Sequence, residues 1–406
     1  MTLPMHGVRI LEVAEHTFVP AASALLAEWG AEVIKVEHHE RGDAMRGLAS
    51  SGTVSIGDGA HVLLEHSNRG KKSIGIDLTT EAGLNVLYRL AAVCDVFLTN
   101  KLPEVRAKLR IDVEEIRHHS PDIIYVRGSG QGARGPEAGK GSYDSLAYWA
   151  RAGIAAGQMP VGSEEVPPPP APAFGDSIGG MTIAGGIMGA LFHRERTGEA
   201  TVVDVSLLGV GMWSMAAAIA LSLQSGTAWR GRPPGTAIRN PLTGYYLTSD
   251  GRAIALTCLQ AAKYWPEMCR VLNRPDLAAD ERFADTASIT ANAPAAAEIL
   301  AEIFATRTYE EWIEVLGDFA GQWAPVQDAL QVADDPQAVA NEYVRAYADV
   351  AGAPYRLVSP PVHYDGAPPA PRRAPGFNEH GDEILRDLLG LDDEAIIDLK
   401  IQSAVT

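Results

Sequence analysis

A single carboxylate, Asp176, has the clearest chemical signal in the chain, because it lies within the glycine-rich run GDSIGG at 175–180. A proline-rich connector at 166–172 precedes this run, and a Gly/Ala-rich apolar segment follows it. The glycines let a substrate and another backbone approach the carboxylate, which can then act as a nucleophile toward an activated acyl group. An aspartate before an apolar helical run is also a favourable N-cap. The two roles are compatible, since a helix N-terminus stabilises an ionised carboxylate and a neighbouring developing oxyanion.

Two further segments have residue types that suit a phosphorylated ligand. The densest basic cluster, NRGKKS at 68–73, either contacts the phosphates of a nucleotide-like cofactor or forms a solvated loop that protects a strand edge. The glycine-rich run at 128–135 follows a predicted strand, where ligands of a doubly wound sheet bind. Its residues 130–135 fit the spelling GxGxxG, but Pro136 and the lack of a following apolar helix argue against NAD binding.

Metal and redox chemistry are not indicated. The pairs His38-His39 and His118-His119 are adjacent residues rather than i, i+4 pairs, so we expect no metal site. The three cysteines are widely spaced and never form a CxxC pair. This cysteine usage suits a reducing compartment, and we expect a cytoplasmic protein.

The bulk composition narrows the class of protein further. With 406 residues, the chain is long enough for two or three domains. Its formal net charge of -17 argues against a general nucleic-acid binder, although it is compatible with a local basic pocket. Residues 1–15 lack the basic and apolar regions of a signal peptide. Residues 205–223 carry no charge, but their Gly, Ala and Ser content favours a buried helix over a membrane span.

Strand and helix patterns alternate through the first part of the chain. Strands separated by helices of this length predict a parallel sheet with helices on both faces, hence an α/β fold. Gly30 occupies the position after a helix where a left-handed residue is favoured, and Thr79 or Thr80 can cap another helix. The predicted strands are 8–13, 32–36, 73–78, 95–99, 123–126 and 200–205, and the predicted helices are 21–29, 81–93, 178–193 and 206–224.

The order of predicted strands and helices changes after the turn-rich boundary GRPPG at 231–235. Two short β runs flank SDG at 249–251, which predicts a hairpin, and helical patterns follow it. This part therefore reads as a smaller α+β domain, followed by a proline-rich region and a polar amphipathic tail. The corresponding segments are strands 244–247 and 253–257, helices 261–272, 291–306 and 309–317, the proline-rich region 360–375, and the tail 381–400.

Several blocks taken together resemble the family III CoA-transferases, the group that includes formyl-CoA and carnitine CoA-transferases. They follow the family's order and cover nearly the whole chain, so the combination is far more specific than any single motif. The blocks are GVRILE (7–12), PA (20–21), GAEVIKVE (30–37), GD (42–43), NRGKKSI (68–74), DL (77–78), DVFLTN (95–100) with Pro103, YD (143–144), GDS (175–177), VDVSLL (203–208), PV (325–326), DDPQ (334–337), RAP (373–375) and EH (379–380).

The resemblance implies a Rossmann-like large domain built from both chain ends and a smaller α+β middle domain, in a homodimer of two interlocked ring-like chains. We accordingly expect the N-terminal part of the large domain at 1–225, the small domain at 226–330, and a C-terminal segment at 331–406 that returns to the large domain. Coenzyme A or acyl-CoA would be a substrate, with no metal, nucleic acid or membrane involved.

The resemblance also implies a covalent mechanism for Asp176. The aspartate would attack the donor acyl-CoA thioester, giving a mixed anhydride and a free CoA thiolate, and the thiolate would return to form an aspartyl-CoA thioester. The acceptor carboxylate would then take over the CoA by the same steps in reverse. The family's CoA-contacting positions correspond to Thr17, Phe18, His38, Ile76, Asp77, Leu78, Thr79, Asn100, Lys101, Leu102, Lys108, Gly141, Ser142, Tyr143 and Asp144.

The chain departs from the family at several of these positions. His38 stands where an arginine is familiar, which weakens a phosphate contact or makes it pH-dependent. Lys108 also replaces an arginine, which loses the bidentate fork but keeps the charge. Lys101 and Leu102 replace the usual aromatic-plus-basic pair. The glycine run that covers the formyl-CoA transferase site has no convincing counterpart here, so formyl-CoA and oxalate are poor substrate candidates.

Two alternatives remain open. The related α-methylacyl-CoA racemases need a second acid/base, and a histidine takes that role at the position of Tyr143 here. With a reference pKa near about 10, a tyrosine abstracts protons poorly at neutral pH. The second alternative is a catalytically idle acyl-CoA-binding protein, which only the departures at His38 and Lys101 favour.

Overall fold

The computed structural model of the chain describes residues 3–51, 54–55, 59–160, 162–230 and 238–406. These residues divide into two compact units. The larger unit comprises residues 1–231 and 340–406, so both chain ends contribute to it, and the smaller unit comprises residues 232–339. The boundary segment predicted at 231–235 lies outside the described residues.

A six-stranded parallel sheet organises the larger unit, as the alternating strand and helix pattern predicts. Its order is β5-β2-β1-β6-β7-β8, which is the order of a doubly wound nucleotide-binding sheet with its switch point between β1 and β6. The strands of the chain are β1 (Arg9–Val13), β2 (Glu32–His38), β3 (Ser50–Ser51), β4 (Val54–Ser55), β5 (Lys72–Ile76), β6 (Val96–Thr99), β7 (Ile124–Ser129), β8 (Val202–Ser206), β9 (Thr243–Leu247), β10 (Ala253–Thr257), β11 (Trp323–Pro325), β12 (Val344–Ala348) and β13 (Pro354–Val358).

Helices cover both faces of this sheet, so its central strands are buried on both sides, and even their charged residues Glu12 and Lys35 are fully buried. The helices are α1 (Phe18–Glu28), α2 (Val62–Asn68), α3 (Glu81–Ala91), α4 (Pro103–Leu109), α5 (Val113–His119), α6 (Ile154–Gln158), α7 (Phe174–Thr197), α8 (Leu207–Ser214), α9 (Ala216–Ser225), α10 (Ala261–Val271), α11 (Pro275–Ala278), α12 (Thr286–Ala291), α13 (Ala293–Phe304), α14 (Tyr309–Leu316), α15 (Ala329–Ala333), α16 (Pro336–Ala340), α17 (Gly381–Leu389) and α18 (Asp393–Ile401), with 3-10 helices at Ala44–Gly47 and Glu281–Phe283 and a π-helix at Ser145–Arg151.

The smaller unit has its own core around a three-stranded antiparallel sheet in the order β11-β10-β9. Strands β9 and β10 form the predicted hairpin. Gly251 in the hairpin turn has a φ of +75°, a conformation that is strained for a residue with a side chain. The aromatic rings of Trp265, Phe304 and Trp312 are buried in this core. Because these residues lie on helices and strands of residues 232–339 alone, the unit buries an apolar core without the large sheet.

The segment predicted as one buried helix at 206–224 differs from the expectation. It forms two helices, α8 and α9, and α9 has no buried residue, so the prediction of a buried helix is wrong for its second half. Within the described residues, no single helix is long and apolar enough to cross a membrane, and α8 and α9 reach that length and composition only as a pair bent by 68°.

Candidate active site

Asp176 lies in the first turn of α7, which begins at Phe174 rather than at the predicted residue 178. The N-cap position belongs to Ala173, whose φ of +55° places it in the left-handed region, and its side chain makes no capping hydrogen bond. The prediction that Asp176 caps the helix is therefore wrong. As a first-turn acid, the aspartate still faces the positive end of the helix dipole.

The glycines around Asp176 allow close helix packing. A Cβ on Gly175 would lie 2.5 Å from Cγ of Tyr148, and a Cβ on Gly179 would lie 2.4 Å from Cε2 of Phe18. Both distances are below any real Cβ contact, so α7 can pack against its neighbours only with glycine at these positions. The glycine run therefore fixes how deeply the start of α7 enters the large unit, and Asp176 with it.

A second acid, Asp144, lies beside the start of α7. Its Oδ2 accepts a hydrogen bond of 3.1 Å from the backbone N–H of Gly175, and its Oδ1 accepts one of 2.7 Å from Ser145 N. Burial of Asp176, and then the negative charge of Asp144, raise the pKa of Asp176 to about 7. The Asp176 carboxyl group thus changes between its neutral and nucleophilic forms near neutral pH.

Asp176 borders a cavity of about 530 Å³ at the carboxyl edge of the large sheet. In a doubly wound sheet this edge is where ligands bind, at the switch point between neighbouring strands. Seven of the CoA positions that the sequence predicts line this cavity: Phe18, Asn100, Lys101, Leu102, Gly141, Ser142 and Tyr143.

A second cavity of about 260 Å³ adjoins the first. The two cavities share the wall residues Glu15, Arg41, Lys101 and Val105, so one elongated ligand can pass from one to the other. The remaining predicted positions that line this second cavity are His38, Ile76, Asp77, Leu78, Thr79 and Lys108.

Two predicted CoA positions do not line either cavity. Thr17 is buried directly before α1, with 2% of its surface exposed, and its neighbour Phe18 faces the first cavity instead. Asp144 contacts the start of α7 through Gly175, as described above.

The basic cluster at 68–73 contributes no side chain to the two cavities. Nζ of Lys71 is buried and lies 2.7 Å from Oε2 of Glu12, and Nε of Arg69 lies 2.6 Å from Oε2 of Glu28. The sequence-based alternatives of a phosphate contact and a solvated loop are thus both wrong for these two residues. The charge density in the sequence reflects internal ion pairing, which a linear pattern does not distinguish from a ligand site.

The run at 175–179 also fits Gly-x-Ser-x-Gly, a spelling that can mark a serine nucleophile. Ser177 Oγ donates to the carbonyl oxygen of Ala173 at 2.9 Å and lies 3.2 Å from Nε2 of His66. Burial, reinforced by the charge of Arg69, lowers the pKa of His66 to about 4, so His66 is a weak base. Ser177 does not line the first cavity, which leaves Asp176 as the better nucleophile.

The residues of the first cavity that the sequence reasoning missed include four polar side chains, Glu15, His16, Arg41 and Arg127. His16 has a φ of +66°, and its ring meets Tyr143 edge-on with centroids 6.0 Å apart. The guanidinium of Arg127 pairs with Asp204 through contacts of 2.7 and 2.9 Å. All four lie at the carboxyl ends of predicted strands or just beyond them, and that position is the signal that would have found them.

Possible metal ligands are not gathered in this site. Within the described ranges, no group of three His, Cys, Asp or Glu side chains has the arrangement of a metal site. The rings of His38 and His39 stack on each other with centroids 4.8 Å apart, and His38 lines the second cavity.

Known proteins that are similar to this chain identify its family. Residues 5–381 match the CoA-transferase family III, and the chain belongs to that family. It is 29% identical to the (R)-2-hydroxy-4-methylpentanoate CoA-transferase of Clostridioides difficile, over 99% of each chain. It is 28% identical to the cinnamoyl-CoA:phenyllactate CoA-transferase of Clostridium sporogenes, over 94% of this chain and 92% of that one.

Solved structures show the same fold. The crystal structure of a CAIB/BAIF family protein from Brucella suis superposes with a TM-score of 0.78 at 27% identity, covering 96% of this chain and all of that one. The predicted family is therefore confirmed, and the protein is a CoA-transferase that uses an acyl-CoA substrate.

Proposed function

We propose that this enzyme moves CoA between two carboxylic acids through a covalent intermediate on Asp176. One observation carries the proposal: among the acids of the first cavity in the described part of the chain, Asp176 has no ion pair. Glu15 pairs with Lys101, and Asp204 pairs with Arg127. A carboxylate that is not neutralised by a cation is free to attack a thioester carbonyl.

Each step transfers one acyl or thiol group and balances. Asp176 attacks the thioester carbonyl of the donor, and the CoA thiolate leaves as a mixed anhydride forms. The thiolate attacks the aspartyl carbonyl, which releases the donor acid and gives an aspartyl-CoA thioester. The acceptor carboxylate attacks this thioester to form a second anhydride, and the returning thiolate attacks the acceptor acyl carbon, which releases the new acyl-CoA and restores Asp176.

We propose that CoA occupies the two adjoining cavities and contacts the predicted CoA positions that line them. Binding of the nucleotide part, far from the thioester, would then hold the thiolate near Asp176 between steps. This arrangement needs no metal ion. The positive end of α7 supports the negative charge that develops at the attacked carbonyl oxygen.

We propose further that the enzyme is a cytoplasmic homodimer of interlocked chains whose compact units are its domains. Two exposed apolar side chains of the α8–α9 pair, Trp213 and Leu223, support the dimer, because they are 82% and 81% exposed and need a partner surface. Sedimentation analysis tests this part: a monomer at micromolar concentration would exclude the interlocked arrangement.

The covalent step is tested by trapping. Hydroxylamine added with an acyl-CoA should convert the Asp176 side chain to a hydroxamate, found by mass spectrometry of the 175–180 peptide. Asp176→Asn should bind CoA with the affinity of the unchanged enzyme but lose transfer by about 10⁴-fold or more. Transfer at the unchanged rate, or a hydroxamate on another aspartate, would contradict the proposal.

The acids to be screened follow from the relatives. (R)-2-Hydroxy-4-methylpentanoate and phenyllactate, which appear in the names of two of them, are the first acceptors in a panel read by mass spectrometry. Tight CoA binding without transfer to any acid in a broad panel would favour the idle acyl-CoA-binding protein instead.

One observation keeps a racemase as the second candidate. His16 shares the first cavity with Asp176 and contacts Tyr143, so a histidine is present near the position where the racemases have theirs. A racemase would exchange the α-hydrogen of a 2-methylacyl-CoA with deuterium from D₂O in the absence of any acceptor acid. We expect no exchange; exchange that disappears in His16→Ala would establish the racemase.

A further inference from the structure

The wall between the two cavities contains an acid where a phosphate site needs cations. Glu15 follows β1 and lines both cavities, as do Arg41 and Lys101. The Glu15 carboxylate forms an ion pair with Nζ of Lys101, and its Oε1 lies 3.8 Å from Nη2 of Arg41. Because Arg41 follows β2 and Lys101 follows β6, the ends of three strands converge on this one acid.

The position of Glu15 is fixed by its backbone. Its N–H donates to Oδ1 of Asn100 at 3.2 Å, and Nδ2 of Asn100 donates to its carbonyl oxygen at 2.7 Å. Glu15 and Asn100 follow β1 and β6, the neighbouring strands at the switch point of the sheet. The Glu15 side chain is only 21% exposed, so its carboxylate is a fixed part of the cavity wall.

We propose that Glu15 is an acid latch, which engages the cations of Lys101 and Arg41 and has to release them when a phosphorylated ligand binds. The proposal rests on the proposed function, because it places CoA in the two cavities. A phosphate that takes over these cations lies next to the Glu15 carboxylate, and the like charges repel each other. The latch therefore lowers the affinity for a ligand according to the number of its phosphates.

The latch suits an enzyme that must release an acyl-CoA in every cycle. Each turnover ends when a new acyl-CoA leaves, and product release limits many enzymes. The ion pair between Glu15 and Lys101 breaks when the phosphates bind and forms again when they leave. Ligand binding is therefore weaker, and ligand release faster, than they would be without the Glu15 carboxylate. Glu15 thus determines specificity and residence time, and takes no part in the covalent steps.

Isothermal titration of the full-length protein with three probes tests the latch. CoA has three phosphate groups, dephospho-CoA lacks the 3′-phosphate, and pantetheine has none. In Glu15→Gln, which keeps the shape of the side chain and removes its charge, CoA should bind about tenfold more tightly. The gain should be smaller for dephospho-CoA and absent for pantetheine, whose unchanged binding also shows that the site is folded.

Glu40→Gln is the matched control. It makes the same change of net charge two residues after His38, but Glu40 lines neither cavity and its side chain is 77% exposed. Its affinity for CoA should stay within about twofold of the unchanged protein. If both variants gain the same affinity for CoA, the gain comes from the change in net charge alone, and the latch proposal is wrong.

A double-mutant cycle adds a test that does not depend on absolute affinity. Lys101→Gln should weaken CoA binding more in the Glu15→Gln background than in the unchanged protein, because Lys101 is then free of its acid. Additive effects would contradict the latch, as would CoA binding that is unchanged or weaker in Glu15→Gln. If no variant binds CoA, the proposed function itself fails, which is a different result from equal binding by all of them.

Discussion

Two carboxylates of the larger unit, Glu12 and Asp176, meet opposite electrostatic surroundings. Glu12 is fully buried, with Nζ of Lys35 and Nζ of Lys71 at 2.8 and 2.7 Å. Burial alone would raise the pKa of Glu12, but Lys35 and Lys71 outweigh it and hold the pKa below its usual value. For Asp176, burial and a neighbouring acid act in the same direction and raise the pKa to about 7.

The difference distinguishes a carboxylate that stabilises the fold, Glu12, from the candidate nucleophile, Asp176. Inside the sheet, the fold compensates each buried charge, because a single unpaired ion there costs several kcal/mol. At the edge of the sheet, Asp176 forms no ion pair with a described residue, and its raised pKa marks it as a candidate reactive group. Substitutions at one carboxylate at a time test this contrast.

The largest expected effect on stability is at Glu12. Glu12→Gln leaves the buried Lys71 without its ion-pair partner, while Lys35 keeps its ion pair with Asp43, and should lower the free energy of unfolding by about 3–5 kcal/mol. Glu32→Gln is the matched control, because Glu32 forms half-exposed pairs with Arg9 and Lys72 and its loss should cost about 1 kcal/mol or less. Urea unfolding at pH 7 measures the free energy of unfolding of both variants. Equal losses would contradict the difference between the buried and the half-exposed ion pairs.

Asp176 should behave in the opposite way. Its pKa is raised from 3.8 to about 7 in the folded chain, so ionisation opposes folding, and this penalty grows as the pH rises between those two values. Asp176→Asn should therefore raise the free energy of unfolding at pH 8 by about 2 kcal/mol, a figure reduced for partial exposure. The gain should shrink toward pH 4 in unfolding curves measured across this range.

Asp204→Asn provides the comparison for that result. It removes a cavity carboxylate that is paired with Arg127 and should lower stability at pH 8 by about 1 kcal/mol or less. If both variants change stability in the same direction, then pairing does not distinguish these two acids.

The smallest expected effect is a displacement of the pH profile. The transfer rate should fall below pH 7 as Asp176 becomes protonated, because the ionised carboxylate is the proposed nucleophile. Asp144→Asn removes the neighbouring charge, so the pKa of Asp176 and the acidic limb of kcat/KM should move to lower pH. Asp122 lies just before β7, at the amino end of the strands, so Asp122→Asn should leave the acidic limb in place. If Asp144→Asn also leaves the limb in place, burial alone raises the pKa of Asp176.

Much of the architecture was predictable, because it rests on local patterns. The strands near residues 8–13, 32–36 and 95–99 are short β-rich runs between turn signals, and they pair in parallel as expected. The cap of α3 is Thr80, and Gly30 has a φ of +107°, both as expected. The β12–β13 hairpin was not predicted, since its short strands lie in a segment without clear alternation.

The prediction of the site was less complete for a physical reason. A carboxylate in a glycine run is visible in the sequence, but whether a cation lies beside it depends on residues far away in the chain. Lys71 and Lys101 are both lysines near strand ends; one is buried against Glu12, and the other lines both cavities. Their roles follow from the register of the sheet and the packing of α1, which local composition does not encode.

By itself, the sequence determined the family, the parallel sheet and the identity of the candidate nucleophile, because these rest on residue order and periodicity. The tertiary structure alone decided the electrostatic role of each charge. It brought Glu15, Arg41 and Lys101 together from three strand ends, and it placed Asp144 beside Asp176. Charge–charge interactions depend on distance in space and on burial, and both are fixed only when the chain is folded.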